Sequence, residues 1–188
     1  GWTCGKSPGV WSGEDDEGVM DLSAFEKGMC GEERDGYYMI ATAEHPLPAM
    51  CLCETIPDAD LPLRIVGVSP CFRREVGSHG QSDLGILRVH QFTKIEQIII
   101  ATPEQSWELQ EELLQNCLDL WDALGMHYEV VNICTGDMGT VAARKYDLEA
   151  WIPGANQYKE IVSCSNCTDY QANRLQIRYG QPGHAGQP

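Results

Sequence analysis

With 188 residues, 43% hydrophobic content and a formal net charge of −15, the chain is long enough for one domain with a sizeable core. Its 13 basic residues against 28 acidic ones argue against nucleic-acid binding by this chain alone, because phosphate contacts need basic patches. It shows no apolar run of about 18 residues and no signal-peptide pattern, so neither a membrane helix nor secretion is expected.

Residues 1–18 hold Gly, Ser, Pro and the acidic run Glu14-Asp15-Asp16-Glu17, and read as a flexible N-terminal arm. Residues 19–179 read as the folded domain. Within it, residues 21–29 suit a short helix, 32–36 a turn and 37–41 a strand. Pro46, Pro48, Pro57 and Pro62 then punctuate short helix and loop. Residues 63–72 and 88–101 are strand-forming runs joined by a polar, Gly-rich loop at 76–85. The clearest helix follows. Thr102 can cap it, Pro103 suits its first position, and Gln105 completes a capping box. Trp107, Leu114, Cys117, Leu118, Trp121 and Leu124 recur at helical spacing as its buried stripe, and Gly125 ends it. Residues 128–133, 146–151, 158–163 and 174–179 read as strands and 139–144 as a helical turn, with 180–188 a disordered tail. Strands separated mostly by loops, with one long helix, predict an α+β domain: an antiparallel sheet flanked by helices.

Charges sit inside the strand-forming runs. Arg73 and Glu75, Arg88 and His90, and Lys94 and Glu96 are each two residues apart, so each pair shares a strand face. Such a face is either solvated or built to hold a charged ligand. Arg144 and Lys145 read as surface charges. Nine cysteines in strand and helix positions do not form a secreted disulfide pattern and fit a reducing, cytoplasmic setting. Cys51-Leu52-Cys53 and Cys164-Ser165-Asn166-Cys167 fall short of the two well-spaced pairs typical of structural zinc sites.

Cys71-Phe72-Arg73-Arg74-Glu75, Gly77, Arg88-Val89-His90-Gln91-Phe92 and Lys94-Ile95-Glu96 resemble motif 2 of the class II aminoacyl-tRNA synthetases, in the form found in the seryl-tRNA synthetases. Thr42-Ala43-Glu44-His45-Pro46, Cys134-Thr135-Gly136-Asp137-Met138-Gly139 and Glu160-Ile161-Val162-Ser163-Cys164-Ser165-Asn166-Cys167 agree with that family in order and spacing. The resemblance runs from about Tyr37 to Tyr179. It implies the class II catalytic-core fold, with residues 19–179 a partial catalytic domain. It also implies ATP-dependent activation of L-serine to seryl-adenylate and transfer to tRNA(Ser), with ATP and Mg2+ as cofactors.

The chemistry is attack of the serine carboxylate on the α-phosphorus of ATP, and it relies on positioning and charge neutralisation. The resemblance makes Arg73 the clamp between serine carboxylate and α-phosphate, a role suited to a planar, permanently charged fork. Arg88 would hold the γ-phosphate, Glu75 the adenine amino group, Val89 the nucleotide through its backbone, and Phe92 the adenine ring. Arg74, Ile161 and Val162 fall within the same ATP-binding blocks. Glu160 and Ser163 resemble the Mg2+ ligands, oxygen donors as a hard cation requires. Thr42, Ala43 and Glu44 match the loop over the amino acid, and Glu96 the floor of its pocket. A carboxylate there accepting a hydroxyl would reject alanine.

The long helical arm that grips tRNA in the family, motif 1 and motif 3 are not visible. The expectation is therefore a fragment of a homodimeric parent that meets tRNA(Ser) through other regions, with activity impaired in this chain alone. Either tRNA-gripping parts outside the chain or a high-salt source would fit the acidic charge. Two alternatives stay open: a non-catalytic paralogue binding a seryl-adenylate-like ligand, and an aminoacyl ligase loading a carrier protein.

Overall fold

A computed structural model describes residues 1–6, 10–12, 31–32, 37–75 and 87–180. The chain forms two compact units, one of residues 1–100 with 171–188 and one of residues 101–170. The expected helix at 21–29, the loop at 76–85 and the tail beyond Gly180 lie outside the described residues or largely so.

The first unit runs β1 (Trp2–Lys6), β2 (Val10–Ser12), β3 (Gly31–Glu32), β4 (Tyr37–Met39), α1 (Pro46–Ala49), β5 (Thr55–Ile56), a 3₁₀ turn at Asp58–Asp60, β6 (Leu63–Phe72) and β7 (Gln91–Ile100). Strand β6 is the centre of its main sheet. It pairs antiparallel with β7 from Leu63 opposite Ile100 to Phe72 opposite Gln91, and parallel with β1 from Trp2 opposite Arg64 to Lys6 opposite Val68. The second pairing corrects the reading of residues 1–18 as a loop-like arm, because Trp2–Lys6 is a sheet strand. It also makes this sheet mixed rather than wholly antiparallel.

Burial along β6 alternates as its period demands: Ile65, Gly67, Ser69 and Cys71 are buried, and Val68 and Pro70 exposed. Ile65 packs with Ala43 and Leu47 of the α1 region and with half-buried Leu63 and Ile98. Gly67 admits that contact, since a Cβ there would lie 2.9 Å from both Leu47 methyl carbons. A second cluster joins Ile56, Leu175 and Ile177 with Leu61, Leu63 and Ile100. Each fully buried side chain of this kind contributes about 1.5–3 kcal/mol.

The second unit holds α2 (Ser106–Ala123), β8 (Tyr128–Asn132), β9 (Arg144–Ile152) and β10 (Gln157–Asn166). Its three strands form an antiparallel sheet with β9 in the middle. The helix begins later than its capping box predicts. Residues 102–106 close as turns, Gln105 amide to Thr102 carbonyl and Ser106 amide to Pro103 carbonyl, so Gln105 is the cap and its side chain makes no capping bond. The end is as expected. Gly125 sits at φ +65° and donates to the Asp122 carbonyl while Met126 donates to Trp121, the Schellman pattern.

Of the expected stripe of α2, Leu114 is buried and Cys117, Leu118 and Trp121 are half-buried, but Trp107 is 44% and Leu124 61% exposed, and Gln110 takes the second buried position. Gln110 earns a buried place by its amide, which donates to the carbonyls of Arg144 and Cys164. Arg144 is no loose surface charge. Its Nε donates to Gln110 at 2.7 Å, Glu111 pairs with it at 2.7 Å, and its guanidinium carbon lies 5.1 Å from the centroids of both the Trp107 and Tyr146 rings. Lys145 likewise pairs with buried Asp147 at 3.2 Å. Residues 139–141 form a turn and strand β9 already begins at Arg144, so the expected helical turn over 139–144 does not form.

The chain closes with α3 (Tyr170–Arg174) and β11 (Arg178–Tyr179), the latter parallel to β5. The strand expected over 174–179 is thereby cut to its last two residues. Leu175 and Ile177 do alternate into the core, but Gln176 between them takes φ +53°, which breaks an extended run. The architecture is α+β, and no described helix is long and apolar enough to cross a membrane.

Candidate active site

In the first unit the charged residues gather where β6 ends and β7 begins. Only Lys94 and Glu96 lie within a strand, and as residues i and i+2 of β7 they share a face. Arg73, Glu75, Arg88 and His90 sit outside regular strand, so the alternating-face reading of those two pairs is corrected. What fixes them is a set of specific bonds. The Arg73 amide donates to the His90 carbonyl, and the His90 ring Nδ1 lies 3.2 Å from the Arg73 carbonyl.

The Arg73 side chain is held at its base and left open at its tip. Nε donates to the Ala41 carbonyl at 3.3 Å, and the guanidinium carbon lies 5.2 Å from the centroid of the Phe92 ring. Its terminal nitrogens have no partner among the described residues, so the fork is free for an anion. Glu75 does not pair with Arg73. Its Oε2 accepts from Arg88 at 3.1 Å, with the Glu75 backbone at φ +48°, an uncommon conformation for a side-chain-bearing residue. Arg74 and Val89 are exposed beside this group.

A second cluster joins the loop before α1 to β7. The Thr42 hydroxyl donates to Glu96 Oε2 at 2.9 Å and accepts from Lys94 Nζ at 3.1 Å and from the Glu44 amide at 3.2 Å. Lys94 Nζ also lies 2.9 Å from Glu96 Oε2. Glu44 accepts from the Gln171 amide at 3.1 Å. In the sequence, the signal for Lys94 is its two-residue spacing from Glu96, which places both on one strand face. Ala43 has no exposed surface and packs on Leu47 and Ile65, Thr42 beside it is also buried, and Glu44 is the half-buried residue of the three.

In the second unit, Glu160 and Ser163 lie on one face of β10 although their odd spacing would oppose them in a regular strand. The register shifts between Glu160 and Val162, so Glu160 stands opposite Glu149 and Ser163 opposite Asp147, two residues apart on β9. Ile161 is the extra residue of this bulge. Val162 turns the other way, opposite buried Leu148. Asp147 is 5% exposed, and its Oδ1 has no hydrogen-bond partner among the described residues. These are hard oxygen donors, a chemistry that fits Mg2+. Among the described residues no three His, Cys, Asp or Glu side chains converge as a complete metal cage. Behind the sheet, burial pushes the Cys164 thiol up to about 12, with nearby Cys117 and Glu111 adding to the rise.

Residues 25–185 match the family model of the tRNA synthetase class II core domain (G, H, P, S and T). The serine–tRNA ligase of Methanocorpusculum labreanum is 60% identical over 86% of the chain, and that of Sulfurisphaera tokodaii 48% over 97%. The chain spans 38% and 40% of the length of these curated relatives. The crystal structure of seryl-tRNA synthetase from Pyrococcus horikoshii complexed with ATP superposes with a TM-score of 0.94 at 46% identity, covering all of this chain and 42% of that one. A cytoplasmic serine–tRNA ligase from Naegleria fowleri in complex with AMP gives 0.88 at 43%, over 96% of this chain and 43% of that one. Prolyl-tRNA synthetase of Giardia lamblia, at 16% identity and a TM-score of 0.84, shares the fold.

Proposed function

The chain belongs to the class II tRNA synthetase core family, and from that premise we propose that it supplies catalytic-core residues of a serine–tRNA ligase. The reaction is activation of L-serine by ATP to seryl-adenylate, followed by transfer to tRNA(Ser). The single observation that carries this reading is Arg73, anchored by the Ala41 carbonyl and the Phe92 ring with its terminal nitrogens open. A guanidinium so held can take a carboxylate and a phosphate oxygen together and bring them into line.

In this reading Arg88 neutralises the far phosphate, Glu75 and Phe92 receive the adenine, and Glu96 reads the serine hydroxyl. Thr42 has a different part from substrate contact. Its one proton and two acceptor positions are all engaged, so it acts by setting Glu96 and the Glu44 loop. Glu160 and Ser163 would hold Mg2+, which supplies neutralisation of phosphate charge as pyrophosphate leaves. Asp147 and Glu149 lie opposite them on the same face. Contacts to tRNA and pairing of two subunits belong to the parent enzyme in this reading. None of the eight described cysteines is in a disulfide, and a reducing, cytoplasmic setting is part of this reading.

Thermal unfolding with a non-hydrolysable seryl-adenylate mimic tests the proposal. Stabilisation that disappears in Arg73→Ala supports it; a wild-type chain indifferent to the mimic refutes it.

A further inference from the structure

We propose that Lys94 sets the charge of the amino-acid pocket: by neutralising Glu96 it makes the pocket accept a hydroxyl side chain and refuse an ammonium of similar size. The inference rests on the reading of Glu96 as a serine contact and goes beyond it to the source of selectivity.

A lone glutamate is a poor instrument for choosing serine. In a half-buried position an unpaired carboxylate attracts a cation more strongly than a neutral hydroxyl. Here the glutamate is not alone. Lys94 Nζ lies 2.9 Å from Glu96 Oε2, with 32% of the Lys94 side chain and 16% of the Glu96 side chain exposed. The same Oε2 accepts the Thr42 proton at 2.9 Å, and Nζ donates to Thr42 at 3.1 Å. These contacts close a three-membered cluster that fixes both long side chains. They also load one carboxylate oxygen and leave the other, Oε1, without a partner among the described residues.

The result is an acceptor with no net charge behind it. A serine hydroxyl can donate to Oε1. An ammonium in its place would enter beside the Lys94 ammonium, and juxtaposed like charges are strongly disfavoured. Selection against a cationic isostere thus comes from a residue that need not touch the ligand, which makes Lys94 a positioning and specificity residue, not a catalytic one.

Two acyl-adenylate mimics with a sulfamoyl linkage separate the possibilities by calorimetry on this chain at about pH 6. One carries serine and the other 2,3-diaminopropionate, in which an amine replaces the hydroxyl. The wild-type chain is expected to prefer the seryl mimic by roughly tenfold or more. Lys94→Met should erase or reverse that preference, and Lys94→Arg should keep it. Equal binding of the two mimics to the wild type overturns the proposal without reference to any variant, as does an unchanged preference in a folded Lys94→Met. Binding of neither mimic overturns the serine-pocket reading itself, and this inference with it.

Discussion

Glu160 and Ser163, three residues apart in sequence, point to the same side of β10 because a bulge at Ile161 absorbs the odd residue. The pair is therefore a two-oxygen cradle created by a register fault, with Glu149 and Asp147 facing it across the ladder. If that cradle holds the phosphate-bound cation, Glu160→Gln removes its formal charge while keeping its shape. Mn2+ binding in the presence of ATP, followed by electron paramagnetic resonance, should weaken by roughly tenfold or more, since one charged ligand contact contributes at least 1.5 kcal/mol. Unaltered Mn2+ affinity would move the metal elsewhere.

Arg73 offers a contrast between charge and shape. Lysine at this position keeps the charge but loses the fork, the Nε bond to Ala41 and the flat contact with Phe92. Arg73→Lys should lower affinity for a seryl-adenylate mimic by about ten- to a hundredfold, the range of one or two charge-assisted hydrogen bonds. The melting temperature of the free chain should barely move, because the side chain is only partly buried. Isothermal titration beside a melting curve distinguishes this from simple destabilisation.

Much of this arrangement was legible in the sequence, and the failures have physical causes. The span of β6 follows from its strand-forming composition, and the end of α2 from Gly125. The register shift beside Ile161 has no such signal: alternation alone would have separated Glu160 from Ser163. Pairing was equally opaque. Spacing suggested Arg73 with Glu75, yet Glu75 turns through a positive φ and meets Arg88. Gln110 carries no apolar signature, so a hydrophobic stripe does not reveal its buried role in satisfying two strand carbonyls. Trp2–Lys6 carries no strand signal of its own, because β1 gains its stability from pairing with the distant β6 and not from its composition.

Gly67 tests the packing beneath the site. Alanine would bring a Cβ within 2.9 Å of both Leu47 methyl carbons, in a cluster that also holds Ala43 and Ile65. Leu47 is 1% exposed and has little room to yield. Overpacking of this kind costs about 1–3 kcal/mol, read as a lower urea midpoint for Gly67→Ala. Gly67→Ala with Leu47→Ala should recover part of the urea midpoint lost in Leu47→Ala alone, because the smaller side chain frees the space that the methyl needs. Equal urea midpoints for wild type and Gly67→Ala would show that the cluster yields.

Cys164 gives the pH dependence. Burial raises its thiol to about 12, whereas the unfolded chain titrates near the usual thiol value of about 8.5. Above that value the unfolded state loses a proton that the folded state keeps, so the unfolded state binds fewer protons and stability falls with rising pH. The loss begins near the unfolded value and continues until pH reaches the folded one. Below that window the group contributes no pH dependence. Urea unfolding at a series of alkaline pH values should show the decline, and Cys164→Ala should flatten part of it. Thiol labelling gives an independent measure: at mildly alkaline pH, exposed Cys53 and Cys134 should react quickly, while Cys164 reacts only at the rate at which its unit opens. Labelling of Cys164 as fast as Cys134 would show that the α2–β10 interface does not protect it.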